Sequence, residues 1–266
     1  SIGAMVGPLL TTGLTYLVPI PVLLLFSVGF LVACGFCLHR LDRWAKAQPA
    51  RQGSRQDEPI GGSIWAGVRS ALSSPYLLGI CLYLFFLTTT ATFLYLEQMR
   101  LVSEQIPSPE GRTRLFSLID LVVNVVTFLM QVTVTGRVIS RFGLASALVV
   151  LPVASAIGFG VIGIMPSLVV FVLFTIVRRV GEYALAKPAR EVLFTVVSRE
   201  EKYKAKNFID TAVSRGGDAA TGWIVSGVKL LGVTAGQMAW VLIPLSLLWG
   251  WVGWLLARQE EKLRGG

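Results

Sequence analysis

The chain of 266 residues is 54% hydrophobic and only 15% charged, with 24 basic against 15 acidic side chains and a net charge of +9. Ordinary soluble domains carry roughly 25% charged residues and break up their apolar runs, so this balance excludes a water-soluble fold of this size. No aromatic platform or soluble module accompanies the basic excess, which therefore suits anionic lipid headgroups and argues against nucleic acid as a partner.

Taken in order, about eight apolar segments run from Ile2 to Leu17, Pro21 to Leu38, Pro75 to Leu96, Thr113 to Thr135, Gly143 to Ile164, Ser167 to Ala186, Ala205 to Leu230 and Ala235 to Ala257. Each approaches the roughly 20 residues that cross about 30 Å of hydrocarbon. They are long and do not alternate in twos, which predicts helices and not barrel strands. The fold class expected is an all-α membrane protein, a polytopic helix bundle of about eight transmembrane helices.

The first segment holds Gly3, Gly7, Pro8 and Gly13, small residues that allow close helix approach and a proline that allows a bend. It begins directly after Ser1 without a signal peptide, which leads us to expect earlier helices of the same protein ahead of it. Cys34 and Cys37 in the second segment, and Cys81 in the third, read as small buried thiols, and His39 as an interfacial histidine at a helix end. Residues 39–74 form a basic connection whose stretch Gln48 to Gly62 has linker composition. The organisation expected is two helices over 1–38, a linker over 39–74, a six-helix half over 75–258 and a tail over 259–266.

Basic residues favour every second connection: the linker, the turn with Arg137 and Arg141, the stretch Lys187 to Lys206, and the tail with Arg258, Lys262 and Arg264. The positive-inside rule then places the linker and the C-terminus in the cytoplasm. Within the spans, polar groups fall on four of the six helices after the linker. The second of these carries Asp120 and Asn124 on a stripe from Thr113 to Thr135; the fourth carries Thr175, Arg178, Arg179 and Glu182; the fifth carries Lys206, Asp210, Arg215 and Asp218; the first has the weaker stripe Thr88, Thr92 and Tyr95. Such groups are costly against lipid and belong next to protein or water. Glu182 with Arg178 or Arg179, Asp218 with Arg215, and Asp210 with Lys206 are also spaced as structural ion pairs. Arginine suits bidentate capture of carboxylate or phosphate, so the partner expected is a small organic anion. No nucleophile–base pair, metal set or phosphate-cradling loop is present, so neither an enzyme nor a cofactor is expected.

The glycine–proline pattern of the first segment, and the run Gly136-Arg137-Val138-Ile139-Ser140-Arg141-Phe142-Gly143, resemble the fifth helix and the cytoplasmic loop motif of the major facilitator superfamily. That resemblance implies the last two helices of an N-terminal half followed by a C-terminal half. The first, second, fourth and fifth helices of that half would line a cavity and the third and sixth would face lipid. It also implies inner-gate roles for Arg137 and Arg141. The stretch from Arg179 to Trp223, with Tyr183, Lys187, Pro188, Arg190, Glu191, Lys202, Lys204, Lys206, Asp210 and Arg215-Gly216-Gly217-Asp218, is similar to the ATP/ADP translocase family and nearest to its bacterial relatives. That family reads Asp-Pro-x-Lys-Glu where this chain has Lys187, Pro188, Arg190 and Glu191, and its lysine is implicated in nucleotide transport. Glu182 stands where its nucleotide transporters tend to have a basic residue.

Together the resemblances imply a secondary transporter working by alternating access in a bacterial inner membrane, exchanging an organic anion such as ATP or ADP. Arg178, Arg179, Arg190 and Arg215 would hold the anion beside Asp120, Asn124 and Glu182, with Arg137, Arg141, Lys187, Glu191, Asp210 and Asp218 in gating or coupling. The alternative is a non-transporting membrane scaffold or sensor that keeps the fold.

Overall fold

The computed structural model describes residues 2–47, 74–197 and 205–265, with Val68 and Leu72. The linker stretch 48–62 and Lys202 and Lys204 lie outside the described residues. Secondary structure among those described is helical throughout. In order, α1 spans Ile2–Leu14, α2 Ile20–Ala47, α3 Pro75–Gln105, α4 Pro109–Met130, α5 Gly136–Ile164, α6 Leu168–Gly181, α7 Lys187–Leu193, α8 Ser214–Leu230 and α9 Ala235–Gly265. Single π-turns at Gln131–Thr135, Glu182–Ala186 and Ile209–Val213 join α4 to α5, join α6 to α7, and precede α8.

Local chemistry sets where the helices begin. Ser74, Ser108 and Ser167 each cap a helix by accepting from the backbone N–H three residues on, and the first two are followed by proline at a position that needs no donor. A capping box opens α9: the Thr234 N–H donates to Gln237 Oε1 at 2.8 Å, and the Gln237 N–H to Thr234 Oγ1 at 3.3 Å.

Four helical stretches are long and apolar enough to cross a membrane: Pro21–Ala45, Pro75–Gln105, Pro109–Ile164 and Ala235–Arg264. They mark the chain as a helical protein of membrane-embedded type. The third of them is two rods. Helix runs on through the expected turn at Gly136 to Phe142, and the break comes at Gly143, whose φ of 79° and ψ of 173° favour glycine. The chain reverses there. Asp120 meets Arg179 and Gln131 meets Tyr183, so α4 runs parallel to α6, whereas Leu151 meets Gly181 and Gly158 meets Phe174, so the rest of α5 runs antiparallel to it.

From residue 75 onward, successive rods alternate in direction. We call the end near Gln105, Ser167 and Leu230 the upper end, and that near Ser74, Gly143 and Leu193 the lower. The front layer is the row α4, α6, α3, α8. Behind it α5 and α9 pack closely on each other: a Cβ on Gly253 would stand 3.3 Å from the Leu148 carbonyl oxygen and 3.0 Å from the Tyr83 ring. The core lies between the layers, around Tyr83, Leu148, Trp249 and Phe194 below and Phe93, Phe159 and Phe171 above. Of α5 and α9, which the resemblance expects to face lipid, the inner surfaces are buried in this core and the outer ones are exposed at Val153, Ile157 and Trp251.

The first two helices depart from expectation. Cys34 and Cys37 are exposed, because α2 has no buried residue along its apolar span; Leu24, Phe30, Leu31, Val32 and Leu38 are 63–72% exposed. Gly3, Gly7 and Gly13 have nothing within 4 Å of where a Cβ would stand, so close packing does not explain them. Instead α1 lies antiparallel on α4 through polar contacts. Thr12 Oγ1 donates to Ser117 Oγ at 2.8 Å, and Arg114 donates to the Thr15 carbonyl at 3.1 Å while its guanidinium lies 3.8 Å over the Tyr16 ring.

Candidate functional site

The front layer encloses a cavity of about 490 Å³ between α3, α4 and α6. Its polar wall is made of Tyr95 and Gln98 from α3, Asp120 from α4, Thr175, Arg178 and Arg179 from α6, and Glu182 and Tyr183 at the π-turn below. Helical spacing explains the convergence. Thr175, Arg178, Arg179, Glu182 and Tyr183 recur every three to four residues and so share one face, turned toward the groove between α3 and α4. Four of the residues expected to bind substrate, Asp120, Arg178, Arg179 and Glu182, meet here.

The two neighbouring arginines differ sharply in environment. Arg178 is 3% exposed and is pinned to α3: one terminal nitrogen donates to the Leu87 carbonyl at 2.6 Å and to Thr90 Oγ1 at 3.2 Å, and the other to Glu182 at 3.2 Å. Thr90 itself donates to the Phe86 and Leu87 carbonyls, so its hydroxyl oxygen is turned to accept. Arg178 thus cross-links two helices. Arg179 is 32% exposed and pairs with Asp120, itself 43% exposed, at 2.5 Å. Its guanidinium stands 6.0 Å from the centre of the Tyr183 ring. Of the two, only Arg179 has donors that an incoming molecule can reach.

Asn124 sits one turn below Asp120 and donates to the Asp120 carbonyl at 2.8 Å. It belongs to a smaller recess of about 240 Å³ shared with Thr127, Gln131, Tyr183 and Lys187. Tyr183 links the recess to the main cavity, and the Lys187 ammonium lies 4.8 Å from the centre of its ring. A third space of about 670 Å³ opens between α1 and α4; Phe116 and Asp120 line both it and the main cavity. Asp120 therefore stands where two spaces meet.

The remaining expected site residues lie elsewhere. Arg190 pairs with Asp210 at 3.3 Å near the lower end, and Lys206 pairs with Glu191 at 2.6 Å, so the expected Lys206–Asp210 pair is replaced by two cross-helix pairs. Arg215 is 84% exposed with Asp218 4.0 Å away, and the Asp218 carboxylate accepts from Thr92 Oγ1 at 2.6 Å. Arg137 donates to the Thr133 carbonyl one turn back. Arg141 is exposed and forms no ion pair with a described residue. The π-turns interlock: Gln131 donates to the Tyr183 carbonyl at 3.0 Å and Thr135 to the Ala184 carbonyl at 2.7 Å. These side chains satisfy acceptors that the π-turn of the facing rod turns outward.

Two features escape the sequence reading. Glu97 on α3 is fully buried, with Lys229 of α8 2.6 Å away and Arg100 3.0 Å away. The Arg100 spacing is a local signal, whereas Lys229 joins only through tertiary packing. Gln98 is 1% exposed and accepts from Thr175 at 2.7 Å. Among the described residues no cluster of three or more histidine, cysteine or carboxylate side chains could hold a metal ion.

Compared with protein families, curated proteins and solved structures, the chain matches none.

Proposed function

We propose that the chain is the C-terminal part of a secondary transporter that moves an organic anion by alternating access, with a six-helix half from residue 75 onward and two preceding helices of the other half. The observation that carries this reading is the cavity between α3, α4 and α6, in which the partly exposed Arg179 presents its guanidinium beside Asp120 and Tyr183. Charges within apolar rods are costly against lipid, and of the four here Arg178 and Glu182 tie α6 to α3 while Arg179 and Asp120 stand open to the cavity. Support also comes from the layering. Polar side chains concentrate on α3, α4, α6 and α8 in the front row, and α5 and α9 stand behind, which is the division that the facilitator resemblance implies.

In this reading Arg179 holds the anion, Tyr183 and Lys187 flank its path, and Arg178 keeps α6 fixed on α3. Nucleotides are one substrate class to test, since Arg190 and Glu191 keep the charges of the translocase stretch while Lys187 and Glu182 depart from it. The test is uptake into proteoliposomes of labelled ATP, succinate and inorganic phosphate by the full-length protein. Saturable ATP uptake that ADP competes supports the nucleotide form. Uptake of succinate or phosphate alone keeps the transporter and discards the nucleotide.

One observation favours a second reading, a non-transporting scaffold or sensor: Arg178, Glu182, Arg179 and Asp120 are already paired with one another. Silence across the panel supports it.

A further inference from the structure

The cavity holds two cations and two carboxylates, and they cancel. Arg178 is committed to Leu87, Thr90 and Glu182 and is buried, so it is closed to a ligand. Only the Arg179–Asp120 pair faces the open part of the cavity, with both side chains about a third or more exposed. An anion that approaches Arg179 while Asp120 is ionised places two negative groups on one guanidinium, so each weakens the other's hold on it.

We infer that Asp120 is a proton-binding site linked to anion binding at Arg179, so that each anion held by Arg179 is accompanied by a proton on Asp120. This rests on the anion-transport reading above. In the linked step a hydronium ion gives its proton to an Asp120 Oδ, leaving water, and the carboxylate becomes neutral. The Arg179–Asp120 ion pair breaks, and the guanidinium N–H groups turn to the anion. Release reverses each change, and no other reactant is needed.

The surroundings of Asp120 support this assignment. The charged and titratable groups that line the same spaces are Arg178, Arg179, Glu182 and Tyr183 from α6 and its π-turn, Tyr95 from α3, and Arg112 about two turns above Asp120 on α4 itself. The α1 residues on that side, Gly7, Pro8 and Thr11, carry no charge. Arg178 is held by Glu182 and Leu87, and Arg112 donates to the Ser103, Ile106 and Pro107 carbonyls, so among the described residues neither is free to replace Arg179 as partner for Asp120 when the anion arrives. Asp120 also stands at the junction of the main cavity and the space beside α1, which gives its carboxylate a path to water.

The experiment uses the full-length protein in liposomes containing a trapped pH dye, with membrane potential clamped, and ATP, succinate and phosphate as separate probes. Uptake of a probe is expected to acidify the lumen. With one proton taken up per anion, apparent affinity strengthens about tenfold per unit fall in pH wherever that stoichiometry holds. D120N is expected to move no proton and to bind the probe with only the pH dependence of the probe's own ionisation. D120E, which keeps an ionisable group, must retain proton movement, which covers the case of D120N failing to fold. Uptake by the wild type without lumen acidification overturns the inference and leaves the transport reading standing. So does a D120N profile identical to the wild type's. If a folded D120N binds no probe at all, Asp120 positions Arg179 and carries no proton, which also overturns it. If none of the three probes enters the liposomes, the transport reading falls and this inference falls with it.

Discussion

Arg178 and Arg179 are chain neighbours, yet about 100° of helical rotation sends one into the α3 interface and leaves the other at the cavity. Their replacements should separate cleanly. Arg178→Ala removes the tie to the Leu87 carbonyl and leaves Glu182 part-buried without its cation; removing one partner of a buried pair typically costs about 3–5 kcal/mol. The expected result is a large fall in melting temperature in detergent. Arg179→Ala disrupts a more exposed pair, worth roughly 0–1 kcal/mol in such settings, so it should melt near the wild type while abolishing uptake of the transported anion. Unchanged uptake by that variant would remove Arg179 from the site. The sequence alone brings both arginines, Glu182 and Asp120 into view, because charges within apolar spans are conspicuous. It cannot say which arginine is locked, since that depends on the Leu87 carbonyl and on the separate path of α4. Arg190 and Arg215 show the same limit: charge and resemblance nominate them, but packing sets one beside Asp210 and leaves the other exposed.

The helices themselves were more legible than their irregularities. Apolar runs place the rods well, but α3 extends past the apolar limit at Leu96 to Gln105, because Glu97, Arg100 and Glu104 continue the helix through pairs one turn apart. The π-turns have no sequence signal of their own; they are held by partners such as Thr135 and Gln131 on a facing rod. Thr135→Val leaves the buried Ala184 carbonyl without that donor and should cost about 1–3 kcal/mol, read as a lowered melting temperature. Glycine is equally position-dependent. A Cβ at Gly217 collides with Thr88, whereas at Gly216 it meets open space. Gly217→Ala should therefore destabilise by roughly 1–3 kcal/mol through overpacking between α8 and α3, with Gly216→Ala close to neutral in the same melt. Equal effects would mean that α8 does not approach α3 as closely as the structure places it.

At the scale of the molecule, charge and exposure bear on how the bundle sits in a membrane. The lower end carries Arg137, Arg141, Lys187, Arg190, Lys206, Arg258, Lys262 and Arg264 against Glu191, Asp210, Glu260 and Glu261, whereas at the upper end Arg100, Arg112, Arg114 and Lys229 are nearly balanced by Glu97, Glu104 and Glu110. The bias toward basic residues predicts that the lower end, with the C-terminus, faces the cytoplasm; an epitope tag fused there should resist protease added outside intact cells. The second helix makes a sharper demand. An apolar helix with no buried residue in its span is stable in place only where lipid or further protein covers it, since water would meet Leu24, Leu31 and Val32 directly. Cys34 on that helix is an exposed natural reporter. With Cys37 and Cys81 replaced by serine, a nitroxide attached to Cys34 in detergent and then reconstituted should collide readily with oxygen, which dissolves in hydrocarbon. Contact with a water-soluble nickel complex should be poor. High accessibility to nickel would show that this face of α2 borders water. Low accessibility to both would place it against other helices of the full-length protein, where the small side chains of Gly29 and Ala33 would favour close approach.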